Sequence, residues 1–198
     1  NAAVGGWAIG NGATTGNYNT AIGHYAGYNL TSGTQNVLLG GFAGDNLSAG
    51  TRNIAIGYNA LSAENDHGLC VAIGHQALKN QDAGTNAYNI AIGYDAGLSI
   101  STGIQNVIIG GLAGDAMSTG HSSVAVGYQA LGAATIANHN VAIGMDALAT
   151  NVAADRNVAI GSEALEFMTA ASTTDTYNIA IGYNAGKQVS SGIRNTLI

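Results

Sequence analysis

The stretch Asn53-Ile-Ala-Ile-Gly-Tyr-Asn-Ala-Leu61 contains the pattern that decides the fold. Its β-branched residues favour a strand, and alternation along the strand places Ile54 and Ile56 on one face and Ala55 on the other. Gly57 then permits a bend that a β-carbon would obstruct. The stretch therefore predicts a short strand that ends in a sharp turn.

This pattern of an apolar run, a glycine, two variable residues and an alanine recurs eleven times in 198 residues. The glycines are Gly10, Gly23, Gly40, Gly57, Gly74, Gly93, Gly110, Gly127, Gly144, Gly161 and Gly182. The steps between them are 13, 17, 17, 17, 19, 17, 17, 17, 17 and 21 residues. Helical solenoids need about 33 residues per repeat, so this period predicts stacked β-coils. We expect an all-β protein, a β-solenoid of about eleven 17-residue coils that forms one domain over residues 1–198.

The composition excludes several classes of function. The chain carries 5 basic and 11 acidic residues, and only 8% of its residues are charged. Phosphate binding needs clustered cations, so we expect no nucleic-acid partner. No apolar stretch is long enough for a membrane span, and we expect no membrane insertion. The content of apolar residues, 46%, is too high for a disordered chain.

An asparagine precedes most of the strands, and stacked coils would bring these residues into one column. Side-chain amides in such a column can hydrogen-bond to one another. The predicted structural ladder comprises Asn19, Asn36, Asn53, Asn89, Asn106, Asn140, Asn157 and Asn178. Cys70 takes the place of an asparagine in one coil, and we interpret it as a small buried residue rather than a reactive thiol.

The packing of the coils raises a question of assembly. A narrow coil of Ala, Ile and Val buries little surface, and small cores without disulfides often depend on oligomerisation. We therefore expect sister chains to complete the interior, with the small Ala allowing close approach, although alternation does not decide which strand face does so. In two variant coils Leu38 or Ile108 replaces the strand alanine and Gly41 or Gly111 follows the bend, which suggests compensation of volume.

The sequence contains no recognisable catalytic, cofactor-binding or metal-ligating set, and we predict that the chain is not an enzyme. The histidines are His24, His67, His75, His121 and His139, and no pair within a coil has the spacing of metal ligands. Nucleophile motifs and phosphate-binding loops are absent from the sequence. Tyrosines follow the bend glycine at Tyr58, Tyr94, Tyr128 and Tyr183. Exposed aromatic rings can stack on sugars, so these four are candidate surface-binding residues, although packing between coils or chains is the simpler explanation.

The pentapeptides Asn-Ile-Ala-Ile-Gly at 53–57, 89–93 and 178–182 and Asn-Val-Ala-Ile-Gly at 140–144 and 157–161 carry a family resemblance. They resemble the head repeats of trimeric autotransporter adhesins and the repeats of bacteriophage tail fibres. The adhesin repeats are shorter, about fourteen residues, and the Tyr-Asn-Ala continuation favours the phage fibres. The resemblance implies a homotrimer, built as a left-handed parallel β-roll or a triple β-helix. It also implies an extracellular location, on a virion tail fibre or a bacterial surface, and attachment to a host-cell glycan or protein.

Alternative functions follow from the same repeat. The main alternative is a purely structural spacer or self-assembling extracellular filament without a receptor site. An ice-binding solenoid would need a regular row of identical exposed residues, and the turn positions vary too much for that. The chain opens at Asn1 without a methionine and closes part-way through a coil, so we expect a segment of a longer fibrous protein.

Overall fold

The computed structural model describes residues 1–10, 14–169 and 174–198. Within these ranges the chain forms an all-β parallel β-solenoid of about eleven coils, without helices. The twelve strands of the main sheet are, in sheet order, β1 (Ala2–Val4), β2 (Thr20–Ile22), β3 (Val37–Leu39), β4 (Ile54–Ile56), β5 (Val71–Ile73), β6 (Ile90–Ile92), β7 (Val107–Ile109), β8 (Val124–Val126), β9 (Val141–Ile143), β11 (Val158–Ile160), β13 (Ile179–Ile181) and β14 (Thr196–Leu197). A smaller parallel pair consists of β10 (Ala154–Asp155) and β12 (Thr174–Asp175). The predicted β-solenoid is thus confirmed.

The coils stack in register. In the pairing of β4 with β5, Ile54 lies opposite Val71 and Ala55 lies opposite Ala72. Each coil therefore advances the chain by one strand spacing, about 4.8 Å, and the sheet has a length of about 50 Å. Equivalent residues of successive coils consequently form straight columns.

A glycine directly after each main-sheet strand from β1 to β13 makes the bend, and two constraints require it. Gly74 has φ of +137°, a conformation that is essentially restricted to glycine. A β-carbon on Gly74 would lie only 2.1 Å from the carbonyl oxygen of Gly93 in the next coil. Close stacking of backbone on backbone therefore excludes a side chain.

The first coil differs from the sequence prediction. Gly5, with φ of +130°, occupies the bend position, and a β-carbon there would lie 2.6 Å from the Gly23 carbonyl oxygen. The repeat pattern places this bend at Gly10, because Ala8-Ile-Gly10 imitates the end of a strand, and that prediction is wrong. β1 ends at Val4, one residue before Gly5, and pairs with β2 without an offset.

The interior lies on the alanine side of the strands. Ala55, Ala72 and Ala91 are fully buried, whereas Ile54 and Ile56 on the opposite face are half-buried. Alternation did not decide which strand face is internal, and the structure answers this because turns of the same chain enclose the Ala column. The accessible surface of 7990 Å² is below the roughly 8,600 Å² typical of a folded monomer of this mass. Because the alanine face is enclosed and the opposite face is only half-buried, the Ile and Val face is the side of the sheet that the chain itself leaves uncovered.

In each coil, a large apolar side chain at one of two neighbouring positions fills the interior. The position four residues after the bend is Leu in some coils and Gly in others. Coils with Gly there carry a large apolar residue three positions later, at Leu30, Leu47, Ile100, Met117 and Val189. Coils with Leu there carry Glu64, Gln81, Ala134 or Asn151 at that later position, and Met168 is the exception. The core thus keeps its volume by exchange between two neighbouring positions.

Volume compensation also surrounds the variant strand residue Leu38, but at a site other than the predicted one. A β-carbon on Gly44 would lie 2.9 Å from the Leu38 side chain, and one on Gly27 would lie 2.7 Å from it. Gly41, which the sequence pattern pairs with Leu38, instead faces the ring of Tyr58 at an ordinary 3.5 Å. The glycines that make room for Leu38 are therefore those of the interior turn position.

Candidate functional site

The asparagines before the strands form a buried column of hydrogen bonds. The backbone N–H of Asn36 donates to Asn19 Oδ1 over 3.0 Å, and Asn36 Nδ2 donates to the Gly50 carbonyl over 2.8 Å. The backbone bond recurs at Asn53, Asn106, Asn157, Asn178 and Asn195. Asn89 and Asn140 occupy the same column, and each donates an amide hydrogen to a turn carbonyl of the following coil. These contacts tie each strand entry to the coils on both sides.

Two residues replace asparagine in this column. The N–H of Cys70 still donates to Asn53 Oδ1 over 3.1 Å, but its thiol makes only a long contact of 3.8 Å to the Gly68 carbonyl. Burial raises the pKa of the Cys70 thiol to about 12, which disfavours the nucleophilic thiolate. Ser123 preserves more of the column, because its Oγ accepts a hydrogen bond from the N–H of Asn140.

The tyrosines after the bend lie on the outside of the solenoid. Tyr58, Tyr94, Tyr128 and Tyr183 are 49%, 57%, 51% and 73% exposed. The ring of His75 stacks between two of them, with centroid distances of 5.6 Å to Tyr58 and 5.2 Å to Tyr94. The Nδ1 atom of His75 lies 3.3 Å from Asp95 Oδ1, which holds the ring in place. The structure thus brings Tyr58 and Tyr94 into one stack, while glycine, methionine or serine in the intervening coils separates Tyr128 and Tyr183 from it.

The stack continues toward the first coil through residues that sequence reasoning missed. Phe42 contacts Tyr58 edge-on at 5.9 Å and stacks on Tyr25 at 5.4 Å. Tyr25 in turn lies parallel to Trp7 at 6.3 Å. The sequence signal that would have identified these residues is an aromatic residue two positions after the bend glycine in each of the first three coils. Together, Trp7, Tyr25, Phe42, Tyr58, His75 and Tyr94 form one row of rings, which we call the aromatic row.

Acidic side chains gather elsewhere on the surface. Lys187 bridges Glu163 and Glu166, and these two hydrogen bonds are the main cause that raises the pKa of the Lys187 ammonium. A nearby depression of about 480 Å³ is lined by Asp115, Gln129, Asp146, Thr150 and Glu166, among others. Burial is the main cause that raises the pKa of Asp115 and of Asp146. The lining thus brings the carboxyl groups of Asp115, Asp146 and Glu166 around one hollow.

Two findings concern membranes and relatives. In the described part of the chain there is no helix with the length and apolar character needed to span a membrane. No protein-family model matches the sequence, and neither a curated protein nor a solved structure gives a significant match.

Proposed function

We propose that this chain is a segment of a homotrimeric extracellular fibre, of the kind found in phage tail fibres or bacterial adhesins, that attaches to a host-cell surface. The observation that carries the proposal is the outward face of the main sheet. Two columns of Val, Ile and Leu follow this face over most of its length, and members such as Ile92, Ile143 and Ile181 are 36%, 38% and 42% exposed. Parallel sheets are nearly always covered on both faces, which favours a partner here.

A second copy of the chain is the occupant that fits this face best. The two columns repeat at the strand spacing for about 50 Å. A parallel sister chain presents the same spacing over the same length, so each residue meets an equivalent one, as in closed symmetric oligomers. A globular partner would match the row over only part of its length. Trimeric symmetry comes from the sequence resemblance, since three such faces can enclose a common axis.

The oligomer is tested by the mass in solution. Light scattering coupled to gel filtration should give about 59 kDa for the trimer, which is three times the chain mass of 19.7 kDa. Ile143→Lys places a charge on the outward face and should release the 19.7 kDa chain. Ile136→Lys is the matched control, because Ile136 is equally exposed, at 38%, but lies in a turn away from the sheet. A wild-type mass of one chain would overturn the trimer.

Attachment would use the aromatic row. The stacked rings, 5–6 Å apart, present a row of aromatic edges and tyrosine hydroxyls that sugars can contact, and the low charge of the chain favours neutral glycans. Binding to a glycan array should be lost in Tyr94→Ala and retained in Tyr88→Ala, since Tyr88 is 54% exposed but lies outside the row. A trimer that binds no glycan or host-cell surface would instead establish the spacer function.

A further inference from the structure

Three polar residues occupy an interior position that is apolar or small in other coils, seven residues after the bend. Gln81 is one, and both ends of its amide are used: Nε2 donates to the Ser101 carbonyl over 3.0 Å, and Oε1 accepts from Asn89 Nδ2. Asn151 is another, and it exchanges two hydrogen bonds with the backbone of Ala154, at 2.9 and 2.7 Å. Neutral amides are therefore fully paired at this position.

Glu64 is the third, and it is not fully paired. Its side chain has no exposed surface, and Oε1 accepts a hydrogen bond of 3.2 Å from the N–H of His67. Oε2 is buried without a hydrogen-bond partner among the described residues. A buried carboxylate with an open oxygen is costly, because burial removes hydration that nothing replaces. Gln81 shows that a neutral residue of the same shape fits this position, so shape alone does not require the charge.

Two further ligand groups lie close to the Glu64 carboxylate. His67 Nδ1 lies 3.6 Å from Glu64 Oε1 and is also buried without a hydrogen-bond partner in the described ranges. Asp82 comes from the following coil, and one ligand atom from each of the three residues lies within 4.8 Å of the others. Burial removes hydration from the Glu64 carboxylate, and the nearby Asp82 carboxylate adds a like charge. A positive charge at this point would relieve both effects.

We propose that Glu64, His67 and Asp82 bind a divalent transition-metal cation of the Zn²⁺ type. An imidazole with two carboxylates suits Zn²⁺, whereas Mg²⁺ and Ca²⁺ prefer oxygen ligands alone. Asp82 is exposed and His67 is 32% exposed at its side chain, so the cation has a path from solvent. Water completes the coordination. All three ligands belong to one chain, so this site is independent of the proposed trimer.

The cation would join two successive coils at a weak point of the stack. Glu64 and His67 precede Cys70, the residue that interrupts the asparagine column, and Asp82 belongs to the coil that Cys70 opens. In other coils a side-chain amide donates to a turn carbonyl, as Asn36 does to Gly50, and the Cys70 thiol cannot make this hydrogen bond. A metal bridge at this level would replace a lost hydrogen bond with a stronger link between coils, which assigns it a structural role.

The test is calorimetric titration of the chelator-treated chain with Zn²⁺. We expect one ion per wild-type chain, a loss of affinity of at least about tenfold in both Glu64→Gln and Asp82→Asn, and much weaker binding of Mg²⁺. His75→Gln is the matched control, because its imidazole also lies beside a carboxylate but on the exposed surface. Cys70→Ser should retain the affinity.

The outcomes separate clearly. Added Zn²⁺ should raise the melting temperature of the wild type and of His75→Gln, but not that of Glu64→Gln. Glu64→Gln should still fold, because the fold accommodates a glutamine at the equivalent position, Gln81. No saturable binding to the wild type would overturn the proposal, as would equal affinities in all variants. A loss of affinity in Cys70→Ser would assign the ion to the thiol and overturn the ligand set.

Discussion

Substitution of a bend glycine by alanine tests the stacking of backbone on backbone. In Gly74→Ala the new residue must adopt φ of +137°, which costs about 1–3 kcal/mol for a non-glycine residue. Its β-carbon would also lie 2.1 Å from the Gly93 carbonyl oxygen, and both atoms are fixed by the backbone. Overpacking of this kind adds about 1–3 kcal/mol. We therefore expect a loss of about 2–6 kcal/mol in the free energy of unfolding.

Two other glycines separate the contributions. Gly182 has φ of +128°, but the nearest atom to its added β-carbon is the Ala185 β-carbon at 3.9 Å, so Gly182→Ala carries the conformational cost alone. Gly6 has neither a positive φ nor a close neighbour, since the nearest atom lies at 3.5 Å, and Gly6→Ala should change stability little. Stacked repeats do not always unfold in one step, so urea unfolding is combined with hydrogen exchange of the flanking coils. Equal effects of Gly74→Ala and Gly182→Ala would refute the steric argument, and equal effects of all three would refute both parts.

Two other predictions concern the interior. Gly44→Ala should cost about 1–3 kcal/mol because its β-carbon would lie 2.9 Å from the Leu38 side chain, and a double-mutant cycle with Leu38→Ala in urea unfolding should show a favourable coupling of at least about 0.5 kcal/mol. Additive effects would contradict the assignment of Gly44 as the residue that makes room. Cys70 has a pKa of about 12, so only about one thiol in ten thousand is ionised at pH 8, and iodoacetamide should modify it in urea but not in the folded chain. Comparable rates in both states would show that the thiol is accessible and active.

The stacked fold was predictable because the same constraint acts in every coil. A bend that tolerates no β-carbon must repeat its glycine, as Gly57 and Gly74 do, and most strand entries repeat an asparagine. The period and the strand positions followed from these repeats. The prediction at Gly10 was wrong because the residues around Gly10 match the repeat pattern but lack an asparagine at the strand entry. The strand entry in the first coil is Asn1, and Asn1 Oδ1 accepts a hydrogen bond from the N–H of Asn19, which marks the true register.

The orientation of the strands could not be predicted from alternation. Alternation groups Ile54 with Ile56 and separates them from Ala55, but both groups are apolar, and hydrophobicity alone favours the larger residues inside. The interior excludes them because Leu61 and its equivalents enter it from the turn and fill the space. Leu61 has φ of +53°, an unusual conformation for this residue type, so its place inside could not be expected from residue preferences.

The site at Glu64 was missed because ligands were sought within one coil. Asp82 follows Glu64 by 18 residues and Gln81 follows it by 17, so both lie beside Glu64 only after the sequence is folded at the coil period. The useful signal was a charged residue at a position that is otherwise apolar, small or amide-bearing. Reading the sequence in columns, rather than along the chain, would have placed Asp82 within reach.

The columns also explain how the outer surface of this fold can vary. The residue after the bend is Tyr58, His75 or Met145 in different coils, yet the bend glycine before each keeps φ between +134° and +137°. The residue two positions after the bend likewise keeps φ of +58° as Phe42 and +54° as Asn59. Backbone hydrogen bonds between coils hold these conformations, for example from the N–H of Asn59 to the Gly41 carbonyl over 3.0 Å. Outward side chains can therefore change without altering the stack, which separates the requirements of the fold from those of the outer surface.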